Sequence, residues 1–189
     1  LHASETPPNS PCLLPIDRIR TGYAGLRPGA PRVNPDLATD LPLRVVPTDD
    51  GHYEVIDGFK RLARWRETGV QLAPATIEPP GPATDRKRRL LLANSPPRTI
   101  TALDEARVVC SLIDDDGLTP RAVGRVLGHK PDWVARRVAL GTRLSEGVQA
   151  RLARGDLGPT LAHALTTLTH QEQDSVLAAL NEHGLRGKD

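Results

Sequence analysis

The chain has 189 residues, a formal net charge of +2, 38% hydrophobic and 3% aromatic residues, no Met and two cysteines. That length accommodates one or two domains. No apolar run approaches the roughly 18 residues of a membrane span, so no membrane partner is expected. Cys12 and Cys110 lack a CxxC partner, which argues against a structural zinc site and for a reducing compartment.

In chain order, residues 1–12 are polar and Pro-rich and read as a disordered tail. "LLPIDRIR" (13–20) reads as a short strand and turn. Gly22, Gly25, Pro28, Gly29, Pro31 and Pro35 make 21–36 a loop. "LPLRVVPTDDGHYEVIDG" reads as a hairpin, with Val45 and Val46 on one strand, Tyr53–Ile56 on the next and Asp49-Asp50-Gly51 in the turn. A helix is expected from Phe59 to Thr68, stopped by Gly69, and a last short strand around Ala75–Ile77. Helices follow over 85–94, 103–114, 119–127, 131–140, 145–154, 159–166 and 171–183, most of them separated by Gly or Pro. The pattern is α+β: a small mixed α/β domain over 13–98, then an all-helical domain over 99–183.

Charge is unevenly spread. Residues 1–83 carry 9 basic and 10 acidic side chains, residues 84–154 carry 14 and 8, and residues 155–189 carry 2 and 5. The middle third therefore holds the positive excess, as a phosphate-facing surface would. The run "RKRR" (86–89) reads as a solvated helix surface, because four consecutive residues cannot share one helix face.

The most specific feature is "LTPRAVGRVLGHKPDWVARRVAL" (118–140), which reads as a DNA-binding helix-turn-helix. Thr119 caps the first helix and Pro120 opens it. Ala122, Val123, Val126 and Leu127 form its apolar face, and Gly128 marks the turn. Pro131 opens a second helix whose buried face is Val134, Val138 and Leu140. Thr119, Arg121, His129, Lys130, Asp132, Arg136 and Arg137 are the candidate DNA-binding residues. Arg136 and Arg137 are expected to point outward, able to fork onto guanine edges or phosphates. Trp133 is expected to pack against the first helix.

The junction Asp57-Gly58-Phe59-Lys60-Arg61 joins a strand to a helix. It could be an ordinary tight turn or an anion seat built from helix N–H groups and two cations.

Taken together, "DGHYEVIDGFKRLARWRETG" and the stretch from Leu103 to Leu165 resemble the ParB partition-protein family over about residues 13–180. The resemblance implies a ParB/sulfiredoxin-like N-terminal domain that binds CTP with Mg2+ and a helix-turn-helix domain that binds double-stranded DNA. It implies a homodimer, a partition ATPase as partner, and a cytoplasmic, nucleoid-associated location. The expected role is plasmid or chromosome partition, or transcriptional regulation. Carried over residue by residue, the nucleotide site would use Gly58, Phe59, Lys60, Arg61, Asn94 and Arg98, with Asn94 also at the metal.

The match has gaps. Phe59 replaces an acidic residue of the family's Gly-Glu-Arg-Arg box, and the third Arg falls on Ala63, with Arg64 one place later. The stretch 38–42 lacks the Gly and Gln of the Gly-x-x-Gln-Pro box. Ala93 replaces the Glu of the Glu-Asn-x-x-Arg box, whose Arg is shifted to Arg98. The expectation is a degenerate CTP site that acts as a switch without turnover. A nucleotide hydrolase using the 58–61 seat and a protein-interaction adaptor are the alternatives. Sulfiredoxin chemistry has no nucleophile here, since the turn at 57–60 contains no Cys.

Overall fold

The computed structural model of the chain describes residues 11–27, 41–93 and 100–183. They divide into two compact units. The first holds residues 11–25 and 41–93, the second 26–27 and 100–183.

The first unit is a five-stranded mixed sheet with two helices. Its strands are β1 (Pro11–Pro15), β2 (Ile19–Arg20), β3 (Leu43–Pro47), β4 (Tyr53–Asp57) and β5 (Leu72–Ile77), and its helices are α1 (Phe59–Glu67) and α2 (Ala83–Leu92). Spatial order is β1-β5-β3-β4-β2. The β3/β4 hairpin and the β1/β5 pair are antiparallel, whereas β3/β5 and β2/β4 are parallel. Leu14, Ile19, Leu43, Val45, Val55, Leu62, Ala73 and Ala75 form the core, with Phe59 and Trp65 packed on it.

Two expectations change here. The N-terminal strand begins at Pro11, inside the stretch read as tail, and β5 begins at Leu72 and passes through Pro74. The register explains how prolines are accommodated. Pro11, Pro15 and Pro74 all fall in one alternate set of β1/β5 pairs. The backbone bond from Ile16 N–H to the Gln71 carbonyl (3.0 Å) belongs to the other set. No ladder bond of this pair therefore needs a proline N–H, and β3 pairs with β5 only from Ala75 onward. Pro11 and Pro15 also blunt an edge strand.

The "RKRR" run is not a solvated face. Lys87 is 4% exposed. Arg86 hydrogen-bonds the Tyr23 hydroxyl. Arg89 pairs with Asp85 and with the buried Glu78 (3.6 Å), which also pairs with Arg44. Only Arg88 is exposed. The run sits beside the carboxylates of Glu78, just past β5, and Asp85 on α2, and the first of these is distant enough in sequence that spacing alone misjudges the run.

The second unit is all-helical: α3 (Ala102–Asp114), α4 (Pro120–Leu127), α5 (Pro131–Thr142), α6 (Glu146–Arg154), α7 (Pro159–Leu165) and α8 (His170–Glu182). Local signals set most boundaries. Thr101 and Asp104 form a capping box on α3, as do Thr169 and Glu172 on α8, while Pro opens α4, α5 and α7. Leu103, Ala106, Leu140, Leu144, Val148, Leu152, Leu157 and Leu165 fill the core. The fully buried Gln173 of α8 ties the joints together. Its Oε1 accepts the Ser145 N–H (2.8 Å), and its Nε2 donates to the Arg143 (2.8 Å) and Leu168 (3.0 Å) carbonyls.

The turn between α4 and α5 is compact because Gly124 has no side chain. A Cβ there would lie 2.8 Å from the His129 carbonyl oxygen, and the His129 N–H donates to the Gly124 carbonyl (2.9 Å). Since the obstacle is backbone, it cannot swing aside. Gly124→Ala is expected to lower stability by about 1–3 kcal/mol, the range for overpacking a closed site. A fall in the urea midpoint at unchanged m-value checks it.

Candidate nucleic-acid interface

The second unit carries several accessible cations on and around α4 and α5. Thr119 Oγ1 accepts the Ala122 N–H (3.3 Å), fixing the start of α4 as its sequence implies. Arg121 and Arg125 lie one turn apart on α4, and both are exposed. Gly128 ends α4 with φ of 73°, and Lys130 caps α5 with its own backbone. His129, Lys130, Asp132 and Arg136 are exposed. Arg121, Arg125, Lys130 and Arg136 have no carboxylate partner among the described residues. Arg143, seven residues beyond Arg136 and exposed, extends the same stripe of α5. Arg125 and Arg143 are absent from the sequence-derived set, although their four- and seven-residue offsets from Arg121 and Arg136 were the signal.

Arg137 requires a correction. It does not point outward with Arg136. Its Nε donates to Glu105 Oε2 of α3 (2.7 Å), with the two side chains 16% and 25% exposed. Its guanidinium lies 4.9 Å from the centroid of the Trp133 ring. Helix geometry gives the reason. At 100° per residue, Arg136 is about opposite the buried Val134, whereas Arg137 is only about 60° from it. Trp133 in turn stacks on His129, with centroids 3.8 Å apart and planes inclined by 12°. Trp133 was expected to pack against the first helix. Its ring meets His129 and Arg137, the residues four before and four after it.

The second candidate region is the β4–α1 junction. Gly58 adopts φ of 100°, and no side chain caps α1. A Cβ at Gly58 would lie 2.6 Å from Leu43 and 2.7 Å from the Arg61 guanidinium, so the seat is closed to any larger residue. Lys60 is exposed and Phe59 is half-buried. Arg61 turns back to pair with Asp57 (3.2 Å), yet its Nε is buried with no hydrogen-bond partner. Asn94 and Arg98 lie outside the described residues, as do residues 38–40 of the first box.

This arrangement fits a phosphate in part. The first turn of α1 supplies backbone N–H groups, and the orphaned Arg61 Nε can donate to one more oxygen. Among the described residues no three His, Cys, Asp or Glu side chains are grouped to hold a metal ion. Asp114-Asp115-Asp116 makes no such group either. Burial pushes both thiols up, Cys12 and Cys110, away from reactive thiolate character.

Three residues before Asp57, Glu54 is buried and accepts the Tyr23 N–H (3.2 Å). Burial raises its pKa above the ordinary 4.5, against the pull of the Gly22 and Tyr23 amides and Arg86. The folded state therefore holds this proton more tightly than the unfolded chain. Its stability contribution is greatest below pH 4.5 and is lost as pH rises through the raised value. Glu54→Gln is expected to flatten that fall. Urea midpoints of the two proteins between pH 4 and 8, compared as a difference, check it.

No protein-family model matches the chain. It is 28% identical over 170 residues to a probable chromosome-partitioning protein ParB of Pseudomonas putida, covering 85% of this chain and 58% of that one. It is 29% identical over 148 residues to a nucleoid occlusion protein of Bacillus mycoides, covering 78% and 50%. The chain thus spans about half the length of the curated relatives it matches. Among solved structures, C-terminally truncated ParB of Caulobacter crescentus complexed to the centromeric parS site matches with a TM-score of 0.49 at 19% identity. That match covers 92% of this chain and 93% of that one.

Proposed function

This chain is ParB-like in sequence, and on that premise we propose that residues 99–183 bind double-stranded DNA by laying the N-terminal half of α5 in the major groove. The observation that carries the reading is the set of exposed cations, none with a carboxylate partner among the described residues, around one tight turn: Arg121 and Arg125 on α4, Lys130 at the cap of α5 and Arg136 on α5. In this reading α4 crosses the phosphate backbone and α5 reaches the bases, as in other helix-turn-helix proteins. Arg136 is the candidate base reader, and Thr119, Arg121, His129, Lys130 and Asp132 flank it. Arg121, Arg125 and Arg143 suit phosphate contacts, which position without specifying.

The cellular role we propose is DNA partition, since ParB and nucleoid occlusion proteins are the curated relatives. Homodimerisation and docking of a partition ATPase belong to the same proposal. Regulation of transcription is a second role that the same DNA contact would serve.

Residues 13–98 are proposed to bind CTP as a switch. What supports this is the family resemblance of the 58–61 stretch together with the orphaned Arg61 Nε. Turnover is not expected, because Ala93 occupies the position of the family's Glu.

Two outcomes follow. Anisotropy of a labelled random-sequence duplex titrated between 50 and 200 mM salt is expected to show a steep loss of affinity, and each of Arg121→Ala and Arg125→Ala should reduce the log–log slope by about 0.9. Affinity that barely changes with salt would favour a protein-interaction adaptor. Equilibrium dialysis against radiolabelled CTP is expected to show retention by the native chain, loss with Lys60→Ala, and no phosphate release. Phosphate release that Lys60→Ala abolishes would instead identify a hydrolase.

A further inference from the structure

Glu105, Arg137, Trp133 and His129 form one continuous column. Glu105 stands in the first turn of α3, a helix fixed at its start by the Thr101–Asp104 capping box. Its Oε2 takes the Arg137 Nε–H at 2.7 Å. The Arg137 guanidinium covers one face of Trp133 at 4.9 Å, and His129 stacks on Trp133 at 3.8 Å. The three α5-side members are spaced by four residues, so they rise along one side of the helix. The column begins at a core-facing helix and ends at an exposed ring in the turn that opens α5.

The chemistry of each link suits rigidity more than attraction to DNA. The Arg137 charge is already matched by Glu105, so it has little left to offer a phosphate. A guanidinium held flat over an indole has few ways to reorient. A largely covered ion pair adds little net stability, which leaves geometry as its main contribution.

We infer that Glu105 is a positioning residue for DNA recognition. Through Arg137 and Trp133 it fixes where His129 and the first turn of α5 stand, although no DNA group touches Glu105 itself. This rests on the DNA-binding reading above and deepens it. The distinguishing consequence concerns sign. Removing the Glu105 charge makes the protein more positive, so any purely electrostatic role would tighten DNA binding. A positioning role weakens specific binding while non-specific binding holds or improves.

The test uses the full chain. Duplexes are first enriched from a random pool by the native protein. Glu105→Gln is then expected to bind the enriched duplex about tenfold more weakly, the scale of one well-placed base contact. Its affinity for a scrambled duplex should be equal or higher. In a Trp65→Phe background Trp133 is the sole tryptophan, and its emission should change on Glu105→Gln. Arg137→Lys keeps the ion pair and gives up the flat stack, so it guards against a Glu105 variant that does not fold. It too should lose discrimination.

If Glu105→Gln binds the enriched duplex as well as the native chain or better, the proposal is overturned, and a simultaneous loss with Arg137→Ala would show Arg137 reading bases directly. If Arg137→Lys discriminates like the native chain, the stack is idle and the proposal falls. If the native protein enriches no duplex, the DNA-binding reading itself has failed, a different result from either of these.

Discussion

A helix can be offered to a groove only if something else holds it still, and in this chain α3 holds α5. The two helices meet where Gly141 leaves room. A Cβ there would come within 2.6 Å of the Cys110 sulfur and 3.5 Å of the Ala106 carbonyl oxygen. Leu103, Ala106 and Leu140 fill the space beside that crossing, and the Glu105–Arg137 pair closes it at the edge. Because α5 spends its inner face on α3, its opposite face, with Asp132 and Arg136, stays in solvent.

The rest of the second unit works in the same direction. Gly124 lets α4 approach the turn closely enough that only three residues separate the helices. Gln173, buried and bonded three ways, keeps the α5–α6 joint against α8. Leaving any of those three partners unpaired would cost the desolvation of a buried polar group, so the joint has one favoured arrangement. The accessible cations are therefore carried on elements whose backbone positions are overdetermined, which suits the duplex-binding role proposed for them.

The helical half of this fold was legible because each boundary is written locally. Thr119, Pro120, Gly128 and Pro131 each act within a few residues of themselves, and apolar periodicity does the rest. What failed were statements about distant partners. Arg137 looked outward because nothing near it in sequence says that Glu105, 32 residues earlier, will face it. Its position only three residues beyond Val134 was the available warning. The "RKRR" run looked solvated because Glu78 and Tyr23 are supplied by other strands and loops. Strand β5 extends back through Pro74 to Leu72 because the register does not call on the missing proline N–H, a fact of strand pairing that sequence alone does not carry. At the 58–61 seat the glycine and its helix were readable, whereas the retreat of Arg61 onto Asp57 was not.

The central claim is that α5, backed by α3, meets the DNA. Backbone amide shift mapping of isotope-labelled protein on adding duplex DNA tests it most directly. The account expects the largest changes at 119–121 and 128–136, with α7 and the middle of α8 nearly silent. Changes centred on α7 and α8, or spread over the sheet of the first unit with 128–136 unmoved, would contradict it.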